Sequence, residues 1–130
     1  MSVAAALCIT VGALVAQLPA RAFTLRWHHT VEKILWEEDY LVAGDWLYLS
    51  AARVRGSGAG MEPPPGAVRV GEAWVYRPAD PWRRALTLAR SEFGADYVLC
   101  IEGACRTLGE LVGGAAGPTT LAPCAAASGR

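Results

Sequence analysis

Alternation with a period of two is the feature that most restricts what this chain can fold into. Phe23, Leu25, Trp27, His29 and Val31 fall on one side of an extended backbone, and Thr24, Arg26, His28, Thr30 and Glu32 fall on the other, the pattern of a half-buried strand. A second run sets Ile34, Trp36, Glu38, Tyr40 and Val42 against Leu35, Glu37, Asp39 and Leu41, which leaves Glu38 as an acid on the apolar side. The other two members of the charge run Glu37-Glu38-Asp39 are expected on a solvated face. Ala43-Gly44-Asp45 reads as a turn, and Trp46, Tyr48 and Ser50 alternate with Leu47, Leu49 and Ala51 beyond it, making a hairpin. Short strands are expected again near Val68–Val70, Trp74–Tyr76 and Ala85–Arg90. A central strand is expected over Asp96–Glu102, with Tyr97, Leu99 and Ile101 on one face. Thr107 to Val112 predicts a short C-terminal helix stopped by Gly113-Gly114. About seven short strands with frequent turn signals and little helix predict an all-β single domain, a sandwich or an open barrel.

The hairpin runs into Gly56-Ser57-Gly58-Ala59-Gly60-Met61-Glu62-Pro63-Pro64-Pro65-Gly66, flexible at its start and nearly rigid at its end. Such a loop offers backbone N–H groups to an anion as a nest does. It is not a nucleotide phosphate loop, because no Gly-Lys-Ser/Thr follows and no helix pattern opens after it. A shaped connection between strands is the plainer reading of the same residues.

The first 22 residues differ from the rest: Val3 to Leu18 is apolar apart from Thr10, Gly12 and Gln17, and Ala20-Arg21-Ala22 follows. The run is shorter than the roughly 20 residues a spanning helix needs and ends in an Ala-x-Ala pattern, so a signal peptide over 1–22, cut before Phe23, is expected, with a retained membrane anchor as the lesser alternative. No Lys or Arg precedes the apolar run, a departure from the usual leader. The expected organisation is then a β domain over 23–117 and a tail over 118–130, in a periplasmic or secreted protein.

The whole chain carries 12 basic and 12 acidic side chains, a balance that gives no reason to expect nucleic acid as a partner. Beyond the leader lie Cys100, Cys105 and Cys124. In an oxidising compartment two of these are expected to pair. Cys105–Cys124 is preferred because it would hold the Ala/Gly-rich tail, and Cys100–Cys105 across the intervening turn is the rival. A zinc site is a poor match to this spacing, so neither metal nor cofactor is expected.

His29, Thr30, Glu32 and Lys33 lie about two dozen residues before Ser57, Gly58, Gly60 and Glu62. Together they form a cluster of His, Thr, Glu and Lys near a glycine-rich loop, a set suited to a small anion or carboxylate. A lone histidine on an apolar face is more often a hydrogen-bonded core residue than a ligand. The stretches Trp27-His28-His29-Thr30-Val31-Glu32-Lys33 and Ser57-Gly58-Ala59-Gly60-Met61-Glu62-Pro63 resemble the bacterial family called domain of unknown function 1850, whose pattern is similar to aromatic-x-His-Ser-Val-Glu-Lys followed by Ser-x-Gly-Ala-Gly. Thr30 stands where Ser is usual and retains the hydroxyl. The resemblance implies export, frequent association with tripartite substrate transporters of the kind that depend on periplasmic binding proteins, and no assigned catalytic residues. A binding or accessory module linked to a membrane transporter subunit is therefore the leading expectation. A small hydrolase using His29 with Thr30 or Ser57, and a purely structural transporter partner, are the alternatives.

Overall fold

A computed structural model describes residues 5–28, 34–55, 65–91 and 95–125. The described strands are β1 (Ala5–Val11), β2 (Leu14–Pro19), β3 (Ala22–His28), β4 (Leu35–Ala43), β5 (Trp46–Arg55), β6 (Val68–Val70), β7 (Ala73–Tyr76), β8 (Trp82–Arg83), β9 (Leu86–Leu88), β10 (Val98–Ile101), β11 (Ala104–Thr107) and β12 (Thr119–Ala125), with helix α1 (Leu108–Leu111) before β12. They form two antiparallel sheets. One has the order β2-β1-β12-β9; the other has the order β11-β10-β3-β4-β5-β7-β6, with β8 pairing a second part of β5. Neither sheet closes on itself, so the chain is all-β and sandwich-like and not a barrel, with more and shorter strands than alternation alone suggests.

One core lies between the inner faces. Leu7, Ile9, Leu88 and Leu121 from the four-stranded sheet meet Phe23, Leu25, Tyr40, Leu47, Leu49 and Leu99 from the eight-stranded one, and Leu108 and Val112 fill the space at α1. Thr107 caps α1, accepting from the Glu110 N–H while the Glu110 carboxylate accepts from the Thr107 N–H, a reciprocal capping box. The β4–β5 hairpin turns between paired Ala43 and Trp46, as expected. The alternation of β5 does not run through, however. The pairing shifts between Asp39 and Tyr40, which leaves Ser50 as an extra residue, so Leu47 and Leu49 face inward before it and Ala52 and Val54 after it. The Ser50 hydroxyl donates to the Asp39 carbonyl at 3.1 Å, satisfying a group the bulge leaves out of the ladder.

The apolar run expected to leave as a signal peptide forms β1 and β2 in the full chain, joined by a tight turn in which Gly12 has φ 57°. Leu7 and Ile9 are fully buried, and Val11, Ala16 and Leu18 pack against the same core, so the run carries a strand's period beneath its high hydropathy. No helix among the described residues is long and apolar enough to cross a membrane. The tail supplies β12, which pairs β1 on one side and β9 on the other, buries Thr119 and Leu121 completely and is tied by a disulfide at Cys124, though to Cys8.

The cysteine pairing is a correction. Cys105 is bonded to Cys100, and Cys124 to Cys8, so the preferred Cys105–Cys124 pairing is wrong and its rival stands. The cause is the position of the turn. It falls at Glu102-Gly103, with φ of 51° and 82°, and this brings Cys105 opposite Cys100 in the ladder.

Candidate functional site

The eight residues singled out from sequence, His29, Thr30, Glu32, Lys33, Ser57, Gly58, Gly60 and Glu62, lie outside the described residues. Their flanks are described. His28 at the end of β3 pairs with Leu35 at the start of β4, and Leu35 pairs with Arg55 at the end of β5. Both motif segments are therefore attached at the same end of three neighbouring strands.

A row of aromatic side chains crosses the inner face at that end. Trp27 pairs with Trp36, Trp36 with Val54 and Val54 with Trp74, in consecutive strands. Trp27 stacks on Trp36 with centroids 6.2 Å apart and meets the ring of Tyr97 at 5.7 Å, while the Arg69 guanidinium lies 5.8 Å from the Trp74 ring. All three indoles of the row are only half-buried. In the neighbouring row, Glu38 stands between Leu25 and Ala52, with Tyr76 beyond Ala52. The odd acid of the sequence is thus a carboxylate on the inner face of a sheet.

The buried Tyr40 hydroxyl donates to Glu38 Oε1 at 2.8 Å. Burial pushes the Glu38 carboxyl above its ordinary value, and the Tyr40 hydrogen bond and the charge of Arg83 only partly oppose it. Burial followed by the Glu38 charge in turn raises the phenols of Tyr40, Tyr76 and Tyr97, so one carboxylate is felt by three tyrosines. Such a group can accept from a ligand's N–H or O–H when ionised and donate to a carboxylate when protonated, with aromatic surface beside it for an apolar body.

The outer face of the same strands is organised differently. Glu37, only 5% exposed, receives Arg55 Nε at 2.6 Å and Arg26 Nε at 3.2 Å, with Arg53 Nε at 3.5 Å. Burial pushes Glu37 upward, but the Arg55 hydrogen bond and the charges of Arg53, Arg55 and Arg26 prevail and hold it below the ordinary carboxylate value. Asp39 accepts from both terminal nitrogens of Arg53, at 2.5 and 2.7 Å, and from the Thr24 hydroxyl at 2.8 Å. Arg53's hydrogen bonds lower its pKa most, against a burial penalty. Glu37 and Asp39 share the face expected, but as members of a cross-strand ladder and not as freely solvated acids. A shallow groove of about 540 Å³ runs along this ladder to Glu102, Gly103 and the Cys100–Cys105 bridge.

Sequence reasoning missed one further cluster. Arg90, its side chain 5% exposed, donates through Nε to Asp96 at 2.9 Å and through Nη1 to the Ala115 carbonyl and Thr119 Oγ1 at 2.9 and 3.0 Å. Asp96 also accepts from the Gly109 N–H at 2.6 Å, and a Cβ on Gly109 would come within 3.1 Å of that carboxylate. The partners span 29 positions of chain, so no local motif marks them. These groups satisfy one another and brace the fold. Among the described residues no group of three His, Cys, Asp or Glu is placed to hold a metal ion.

A two-sheet antiparallel β protein, with an aromatic row and an inner-face carboxylate at the sheet end where its motif segments attach, is the class these features define. Residues 23–108 match the profile of the domain of unknown function family (DUF1850), and the chain belongs to that family. No curated protein and no solved structure matches the chain.

Proposed function

We propose that this chain is a ligand-binding accessory module of a membrane transport system and not an enzyme, with its site at the sheet end where the two motif segments attach. The observation that carries the reading is the register of His28, Leu35 and Arg55, which brings the attachments of 29–33 and 56–64 together beside the aromatic row and Glu38. On this reading His29, Lys33, Thr30 and the backbone at Ser57, Gly58 and Gly60 receive the carboxylate of a small organic acid. Glu32 and Glu62 set the charge around it, and Trp27, Trp36 and Tyr97 pack on its carbon body. Two disulfides favour an oxidising compartment such as the periplasm. The link to a transporter rests on the family resemblance.

The experiment is a thermal-shift screen of the full chain against small mono- and dicarboxylates. A cognate acid at a hundredfold its dissociation constant should stabilise by about 2.7 kcal/mol. Lys33→Ala and Trp36→Ala should each weaken that response at least tenfold while Arg84→Ala leaves it unchanged. A flat response to every acid, or a response that survives both substitutions, would sink the proposal.

A further inference from the structure

The two disulfides occupy unlike positions. Cys8–Cys124 ties two interior strands of the four-stranded sheet, and its cysteines are 116 positions apart. Cys100–Cys105 joins directly opposed residues of one hairpin, five positions apart, with Cα atoms 4.0 Å from each other, the closer, non-hydrogen-bonded kind of antiparallel pair. The hairpin does not depend on it for register, because the tight turn at Glu102-Gly103 already sets the pairing and β3 holds β10 on its far side. Closing so short a loop also restricts the unfolded chain far less than closing the long one. The bond sits in the open: β11 is the terminal strand of its sheet, Cys105 is exposed, and both cysteines line the outer-face groove.

We propose that Cys100–Cys105 is a thiol–disulfide exchange site, reduced by a dithiol protein that approaches along the unpaired edge of β11. A thiolate of the reductant attacks Sγ of Cys105, forming a mixed disulfide. The Sγ–Sγ bond breaks and its electron pair leaves on Sγ of Cys100, which takes a proton. The second thiolate of the reductant then attacks its own sulfur in the mixed disulfide, releasing Cys105, which is protonated in turn. The protein gains two electrons and two protons, and the dithiol becomes a disulfide. Cys8–Cys124 lies half-buried on the outer face of its sheet, across two interior strands and with the Gln17 amide 3.7 Å from Cys124 Sγ, and does not take part.

The test uses the folded full chain and dithiothreitol as the probe, with alkylation at timed intervals and peptide mapping of all four cysteines. Cys100 and Cys105 should be alkylated at least tenfold faster than Cys8 and Cys124, with cooperative unfolding retained. In denaturant the two pairs should react at similar rates, since the difference comes from the fold. Equal rates in the folded chain, earlier reduction of Cys8–Cys124, or no reduction of either bond without denaturant would each overturn the proposal.

Discussion

Glu37 and Glu38 are consecutive residues of one strand, and the pleat sends them into opposite electrostatic surroundings. Glu37 meets three guanidinium groups and is held below its ordinary value of 4.5, so its contribution is fully present above that pH and is lost as pH falls through its depressed folded value. Glu38 is raised by burial, so the cost of ionising it enters as pH rises from 4.5 through its folded value and is present at neutral pH. Glu37→Gln should lower stability at neutral pH by about 2 kcal/mol, less than the loss of a fully buried pair because Arg26 and Arg55 stay 37% and 49% exposed. That deficit should shrink as pH falls from 4.5 through the depressed folded value. Glu38→Gln should leave stability unchanged or higher at neutral pH and converge on the parent in acid, while weakening carboxylate binding if the proposed site is right. Urea unfolding at two pH values reads both effects. A destabilised Glu38→Gln protein at neutral pH would show that the carboxylate is a structural acceptor for Tyr40 and little else.

At the scale of elements, the N-terminal hairpin decides what the domain is. A leader cut before Phe23 would remove β1 and β2, the buried side chains of Leu7 and Ile9, one of the two partners of β12 and half of the Cys8–Cys124 bridge. The two buried side chains alone contribute about 1.5–3 kcal/mol each, a large share of a domain stability of about 5–15 kcal/mol. The isolated protein is therefore expected to retain residues 5–19, which intact-mass measurement with both disulfides closed will report. A chain starting at Phe23 is expected to lose cooperative unfolding. A mature species starting at Phe23 that unfolds cooperatively would refute the place assigned to the hairpin. Hydropathy could not separate the two readings, because β1 and β2 place apolar residues on both faces, Leu14 and Val15 among the exposed ones, and so present the same apolar run as a short leader.

For the whole molecule, the Arg90 cluster connects parts that no single sheet connects: the chain leaving β9, the chain entering β10, the stretch after α1 and the first residue of β12. Arg90→Ala should cost about 2 kcal/mol, since it takes away the cation paired with Asp96 and the donor to the Ala115 carbonyl and Thr119 Oγ1, while Asp96 keeps the Gly109 N–H. Asp96→Asn should cost less, because an amide keeps an acceptor for the Gly109 N–H. An Arg90→Ala protein with the parent's unfolding midpoint in urea would remove this cluster from the account of stability. Much of the architecture was legible beforehand from residues that answer to their immediate neighbours. The alternation of Phe23, Leu25 and Trp27, the turn before Trp46, the short helix after Thr107 and the misplaced acid at Glu38 are set by pleat, turn and helix stop, which are local in sequence. Other features answer to residues tens of positions away, or to which of two equally short turns the packing prefers. The bulge at Ser50, the burial of Leu7 and Ile9, the interior position of β12, the partners of Arg90 and the choice of Cys100 over Cys124 for Cys105 depend on how two sheets close over one core. The sequence by itself therefore determined the strand period, the all-β class and the family, and only the tertiary structure decided how the N-terminal apolar run packs in the full chain, which cysteines meet and where the two motif segments attach, because these depend on contacts between residues far apart in sequence.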